Sequence, residues 1–394
     1  MAACGDAGLL QLSRTAAAPP SRRAAKLEAI AGALRYRGGR RSRVPGRDQP
    51  ARGRHREHGV RPGRRRARGA GGDIDRGGVI ASLVGTRAVI SPEDAAMVRG
   101  FIVNKFRGDP ALFADGYAAI EERTGWRGFG LIPWLPAVAR LPSEDAVVLE
   151  QHRARDRGRV LVACPMLPRI ANFDDLDPLK AEPEVELAMI APGTPLPAEA
   201  GLIVIPGSKA TIADMAFMRA QGWDIDILAH HRRGGMILGI CGGYQMLGRT
   251  IHDPLGIEGL SSLADGLGLL DAETVLSEHK VLGTVSGTAL DQPFQGYEMH
   301  MGTSRRAEGA RPFAVLENGR CDGMISADGK VMGTYCHGLL ASGPLRQALL
   351  RRIGARGSGT DHRHVVETAL EELSTDLERF MDIDGLLTVA RENT

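Results

Sequence analysis

The run Gly239-Ile240-Cys241-Gly242-Gly243-Tyr244-Gln245-Met246-Leu247-Gly248, entered from the apolar Met236-Ile237-Leu238, decides the fold of the larger part of the chain. An apolar strand that runs into a glycine-flanked cysteine and then into a helix is a nucleophile elbow. Small neighbours allow the strained turn, and the helix N-terminus favours an anionic sulfur. Upstream, Gly201-Leu202-Ile203-Val204-Ile205-Pro206-Gly207-Ser208-Lys209 reads as a buried strand ending in a glycine turn whose N–H groups suit an oxyanion hole. Downstream, Val331-Met332-Gly333-Thr334-Tyr335-Cys336-His337-Gly338 places a histidine at a strand end, where a general base belongs.

In the order strand-PGS, strand-Cys-helix, strand-His, these elements resemble the class I, triad-type glutamine amidotransferase domain. The resemblance implies Cys241 as nucleophile and His337 as base, with Gly207, Ser208, Gly242 and Gln245 around the oxyanion and glutamine pocket. Most such domains carry Glu two residues after the histidine; Leu339 stands there in this chain, so the third triad member is unassigned. Cys336 points away from His337 by strand alternation and is read as structural. Gly296-Tyr297-Glu298-Met299-His300-Met301-Gly302 puts Glu298 and His300 on one strand face, where they are expected to line the glutamine or interdomain pocket.

Nearer the N-terminus, GDIDRGGVIASLVGT (Gly72–Thr86) reads as a strand end, a glycine turn and a helix, and FIVNKFRGD (Phe101–Asp109) as a buried strand with a polar loop. A helix over Leu112–Trp126 and a strand over Gly128–Trp134 continue the alternation, which implies parallel βαβ units. Ligands of such sheets sit at the carboxyl ends of strands. Asp73 and Asp75 are therefore candidate Mg²⁺ ligands, and Asn104 and Lys105 candidate nucleotide contacts. No other metal is expected.

GDIDRGGVIASLVGT, NKFRGDPALF, GWRGFGLIPW and NFDDLDPL (Asn172–Leu179) resemble the cobyric acid synthases. That resemblance implies an α/β chain: a partial P-loop-type, dethiobiotin-synthetase-like parallel-sheet domain, then the amidotransferase domain. It also implies ATP and Mg²⁺, glutamine as nitrogen donor, and amidation of the side-chain carboxylates of a corrinoid, adenosylcobyrinic acid a,c-diamide, in cobalamin biosynthesis. The family's phosphate loop has the form GTxSxxGKS, and this chain contains no GxxxxGK[ST]. The expectation is an N-terminally truncated synthetase with a defective ATP half and an intact glutaminase half. An amidase acting on cobyrinate or on a cell-wall lipid precursor would share the Cys/His core and is the alternative.

The formal charge of +3 conceals a segregation. Arg35 to Gly71 holds 14 Arg, no Lys, Asp48 and Glu57 as its acids, and no Leu, Ile, Met or Phe; it carries 14 − 2 = +12, leaving 3 − 12 = −9 for the rest. A genuine block of this kind would be a solvated arm for nucleic acid. Codons exist, however, whose one-nucleotide shift turns Val44–Gly63 into SPAEINLRAGDIANMGFAR, and a frameshift product is the expected reading. Expected domains are then an unassigned segment 1–34, an out-of-frame, disordered segment 35–71, a synthetase remnant 72–170, a linker 171–186, the amidotransferase domain 187–355, and a helical segment 356–394 packed on it. The expected partners are small molecules, glutamine and a corrinoid, without nucleic acid or membrane. With its N-terminal apolar residues preceding its charges, the chain is expected to be cytoplasmic.

Overall fold

The computed structural model describes residues 68–142, 158–259 and 262–392. The described residues divide into two units, one running from Pro142 to Val366, the other made of those up to Leu141 together with the segment from Glu367 onward. In the latter, Arg68–Asp73, Val98–Phe106 and Arg127–Pro133 form a parallel three-stranded sheet in chain order. Helices Val79–Val89 and Ala114–Thr124 make the crossovers, and Val79, Leu83, Phe101, Val103, Ile120 and Trp126 form one buried cluster. The register sets Asp73 beside Asn104 at the carboxyl ends of neighbouring strands.

Two expectations fail here. Arg68–Gly71, the end of the arginine block, is not disordered: it pairs as strand with Val98–Ile102, because small residues lie flat against a neighbouring strand whatever frame encoded them. Residues 1–67 lie outside the described residues. From Glu367 onward the C-terminal helices, His362–Phe380 and Ile383–Glu392, belong to the N-terminal unit and not, as expected, to the amidotransferase part. Ala369 and Leu373 bury against Ala137, Asp382 N–H donates to the Phe129 carbonyl, and Arg127 and Arg140 pair with Asp382 and Glu372. Their apolar stripe therefore completes the N-terminal unit.

The other unit is built on a six-stranded sheet in the order Met324–Ile325, Val331–Thr334, Met236–Ile240, Leu202–Ile205, Val160–Pro165, Val185–Ile190, parallel except for its first, antiparallel pair. Strands covered on both faces read as unbroken apolar runs, as MILGI, LIVI and VLVACP do. After Thr334 the chain leaves this sheet, and Cys336–His337 joins a second, largely antiparallel sheet by pairing with Glu298 and Tyr297. The centre of that sheet is the long hairpin Ala272–Ala289/Gln292–Arg306, turned by Leu290 and Asp291 at φ 49° and 63°.

The expected linker at 171–186 is part of this unit. Val160–Pro165 already lies inside its sheet, and Phe173–Leu176 and Asp177–Lys180 are helical turns with Leu176 and Leu179 in its core. Proline and aspartate suggested a tether because both favour turns; here the turns carry leucines inward.

Candidate functional site

Parallel pairing of Val331–Thr334 with Ile237–Ile240 makes both strands end at one edge of the sheet. Cys241 and His337 follow those ends, so the register brings thiol and imidazole together although 96 residues separate them. The Cys241 N–H donates to the Thr334 carbonyl at 2.8 Å, tying the two exits.

Cys241 adopts φ 53°, ψ −109°, a conformation L side chains rarely occupy, directly before the helix Gly242–Leu247. Close backbone approach enforces the glycines around it. A Cβ on Gly243 would lie 2.1 Å from the Ile205 carbonyl oxygen, and one on Gly242 would lie 2.9 Å from the Ser208 nitrogen. The Gly242 N–H begins the helix and has no partner within it. Gly207 stands at the mouth: a Cβ added there would lie 3.3 Å from His337 Cε1 and 3.7 Å from Cys241 Cβ. Elbow and glycine turn thus converge on one point, as a tetrahedral oxyanion requires.

His337 is wholly buried. Its Nδ1 lies 2.7 Å from Asp175 Oδ2, and the other carboxylate oxygen of Asp175 accepts the Gly338 N–H at 2.7 Å. Tyr297 stacks on the ring with centroids 5.2 Å apart, and the Asn172 amide nitrogen lies 3.2 Å from both ring nitrogens. Burial opposes a charge on His337, but its hydrogen bonds to Asp175 and Cys241 outweigh it and raise the imidazole to about 10. Asn172 and Asp175 come from NFDDLDPL, which the sequence marked only as a family motif inside a linker. The usable signal was a carboxylate-rich motif in a chain whose histidine lacked its acid.

Other expected pocket residues are committed elsewhere. The Ser208 hydroxyl donates to Asp214 Oδ2 at 2.6 Å and accepts the Ala210 N–H, which leaves its backbone to face the elbow. Gln245 accepts from Thr211 Oγ1 and donates to the Met301 carbonyl and the Tyr335 hydroxyl, so both its amide protons are used and it ties the elbow helix to the hairpin. Glu298 and His300 share a face, as alternation requires, with Glu298 Oε1 and His300 Nε2 4.0 Å apart. Glu298 pairs with Arg320, and His300 stacks on Tyr335 and meets the Gly302 carbonyl through Nδ1; neither hydrogen-bonds Cys241 or His337. Cys336 is buried with its thiol 3.5 Å from Asp322 Oδ2, and burial pushes that thiol up.

In the other unit, Asp73 and Asp75 stand at the carboxyl end of the first strand and are already paired, with Lys105 Nζ and Arg107 Nε respectively, each at 2.8 Å. Lys105 has φ 64°, and its hydrogen bond holds the Asp73 carboxyl below the usual carboxylate range. The Asn104 side chain accepts the Lys105 N–H. These carboxylates and cations at the strand ends are the groups that could meet a nucleotide. Among the described residues no helix is long and apolar enough to cross a membrane.

Comparison with known proteins matches residues 161–345 to the CobB/CobQ-like glutamine amidotransferase domain and residues 15–148 to the CobQ/CobB/MinD/ParA nucleotide binding domain. The chain is 63% identical over 319 residues to the cobyric acid synthase of Novosphingobium aromaticivorans, covering 81% of this chain and 65% of that protein. It is 63% identical to that of Rhizorhabdus wittichii and 56% identical to that of Brucella suis, each covering 81% of this chain and 66% of the relative. The chain thus spans just under two thirds of the length of these relatives. With an identity of 56–63% running through both domain matches, the chain belongs to the cobyric acid synthase family.

Proposed function

We propose that this chain hydrolyses glutamine at Cys241, the half-reaction whose ammonia serves ATP-dependent amidation of a corrinoid side-chain carboxylate, that of adenosylcobyrinic acid a,c-diamide, in cobalamin biosynthesis, and that the ATP-dependent half is defective in this chain, which holds no GxxxxGK[ST]. The strained elbow at Cys241, set against buried His337, carries the glutaminase part. Similarity to cobyric acid synthases supports the corrinoid, and a cytoplasmic location is part of the same proposal. In the reaction, Cys241 Sγ adds to the carboxamide carbon of glutamine. The N–H of Gly242 and the backbone of the Gly207–Ser208 turn receive the oxyanion. His337 passes its proton to the departing nitrogen, ammonia leaves, and a γ-glutamyl thioester remains. Water, deprotonated by the now neutral His337, cleaves the thioester to glutamate and returns the sulfur. Asp73, Asp75, Asn104 and Lys105 would meet ATP and Mg²⁺, which supply activation of the acceptor carboxylate.

The amidotransferase unit is proposed to span about 158–366, and the remainder to form the synthetase part. A glutaminase assay on the full chain tests the reading, with Cys241→Ser as control. The wild type should release glutamate and be labelled at Cys241 by 6-diazo-5-oxo-L-norleucine, while the variant does neither. Release of glutamate by the variant at the wild-type rate would remove Cys241 from the mechanism.

A further inference from the structure

We propose that Asp175 is the positioning carboxylate of this site, taking from the NFDDLDPL segment the place that Leu339 leaves apolar beside the histidine. The inference rests on the glutaminase reading above and supplies the member that the motif around His337 lacks.

Three observations carry it. Leu339, two residues after His337, is buried at 1% exposure in the apolar cluster, so no acid reaches the ring from that side. Asp175 reaches it from 162 residues upstream, at 2.7 Å from Nδ1. Both of its oxygens are fixed, one by the ring and one by the Gly338 N–H, which follows His337 in sequence. The carboxylate therefore holds the ring and the backbone that bears it as one body. The other buried acids nearby are engaged elsewhere: Asp322 with Thr334, Tyr335 and Cys336, and Glu298 with Arg320.

The physical consequence is a fixed tautomer and a stabilised cation. With Nδ1–H donated to Asp175, Nε2 is the nitrogen left to exchange a proton with sulfur and leaving group. At 5% exposure, Asp175 has, among the described residues, no cation but His337 as a hydrogen-bond partner, so a charged ring is also what keeps the carboxylate from being buried alone. Asn172 packs beside the same ring from a left-handed backbone, φ 54°, ψ 61°. The strain and the two side chains occur in one short stretch, which is why the motif reads as more than a turn.

Asp175→Asn keeps the shape and removes the charge. It should lower kcat for glutamine hydrolysis by roughly 10²- to 10⁴-fold with KM little changed. The alkaline limb of the pH profile should move down by about 1–3 pH units. Asp175→Glu should recover part of kcat. An unchanged kcat with an unmoved alkaline limb would overturn the assignment. Nitrogen-15 NMR of the histidine-labelled wild type provides a readout independent of turnover and of the variant's folding: Nδ1 of His337 should carry a proton at pH 8, and an unprotonated Nδ1 there also overturns it. A wild type with no glutaminase activity or labelling at Cys241 would count against the proposed function instead, and the NMR result would still decide on Asp175.

Discussion

At the scale of single residues, the site depends on atoms that are absent as much as on those present. Gly243 has no room for a side chain, because a methyl group would sit 2.1 Å from the Ile205 carbonyl oxygen. Gly243→Ala should therefore push the elbow helix off the sheet, costing about 1–3 kcal/mol as other overpacking does. A lowered urea midpoint with lost glutaminase activity is the expected result, and a variant of wild-type stability would contradict the packing. His337 makes a second prediction. Its value is raised from 6.5 to about 10, so protonated His337 stabilises the fold fully below about pH 6.5, and this contribution is lost as pH rises through about 10. Urea unfolding from pH 6 to 11 should show stability falling across that window, and the slope should flatten in His337→Gln. Cys241 and His337 were legible from local sequence because elbow and strand end are local patterns; Asp175 was not, since its partner is 162 residues away.

At the scale of elements, the segment 172–186 changes meaning. It is held down by a buried ion pair between Glu182 and Arg346, both 2% exposed, with Arg346 Nε 2.5 Å from Glu182 Oε1. Arg346 also donates to the Leu340 and Thr360 carbonyls, and Glu182 accepts from Ser358. Arg346→Met leaves a buried carboxylate without its cation and should cost roughly 3–5 kcal/mol. Because Glu182 ends the segment that carries Asp175, glutaminase activity should fall more steeply with temperature in this variant than in wild type. Equal thermal profiles would show that the ion pair does not anchor the segment. The parallel strands were readable as unbroken apolar runs, whereas this segment was misread because turn-forming residues look alike in a tether and in a buried loop.

At the scale of the molecule, the two units have separate apolar clusters, so cooperative unfolding need not extend across the chain. Calorimetry should resolve two transitions, and covalent labelling of Cys241 by the glutamine analogue should raise only the one belonging to the Pro142–Val366 unit. A single transition displaced as a whole would show the units to be thermodynamically coupled. Placement of the C-terminal helices belongs to this scale as well. Helical spacing announced an apolar stripe, but which core received it depended on Ala137 and Phe129, far away in sequence.

By itself the sequence determined the elbow at Cys241, the strand-end position of His337, the glycine turn at Gly207 and the order of strands and helices, since each follows from short-range sterics and from periodicity. Only the tertiary structure decided that Asp175 faces His337, that the Gln245 amide is internally satisfied and Glu298 pairs with Arg320, and where the C-terminal helices lie. These are matters of which polar and apolar groups meet once the chain has closed, and a buried group takes its partner from whatever element packs against it.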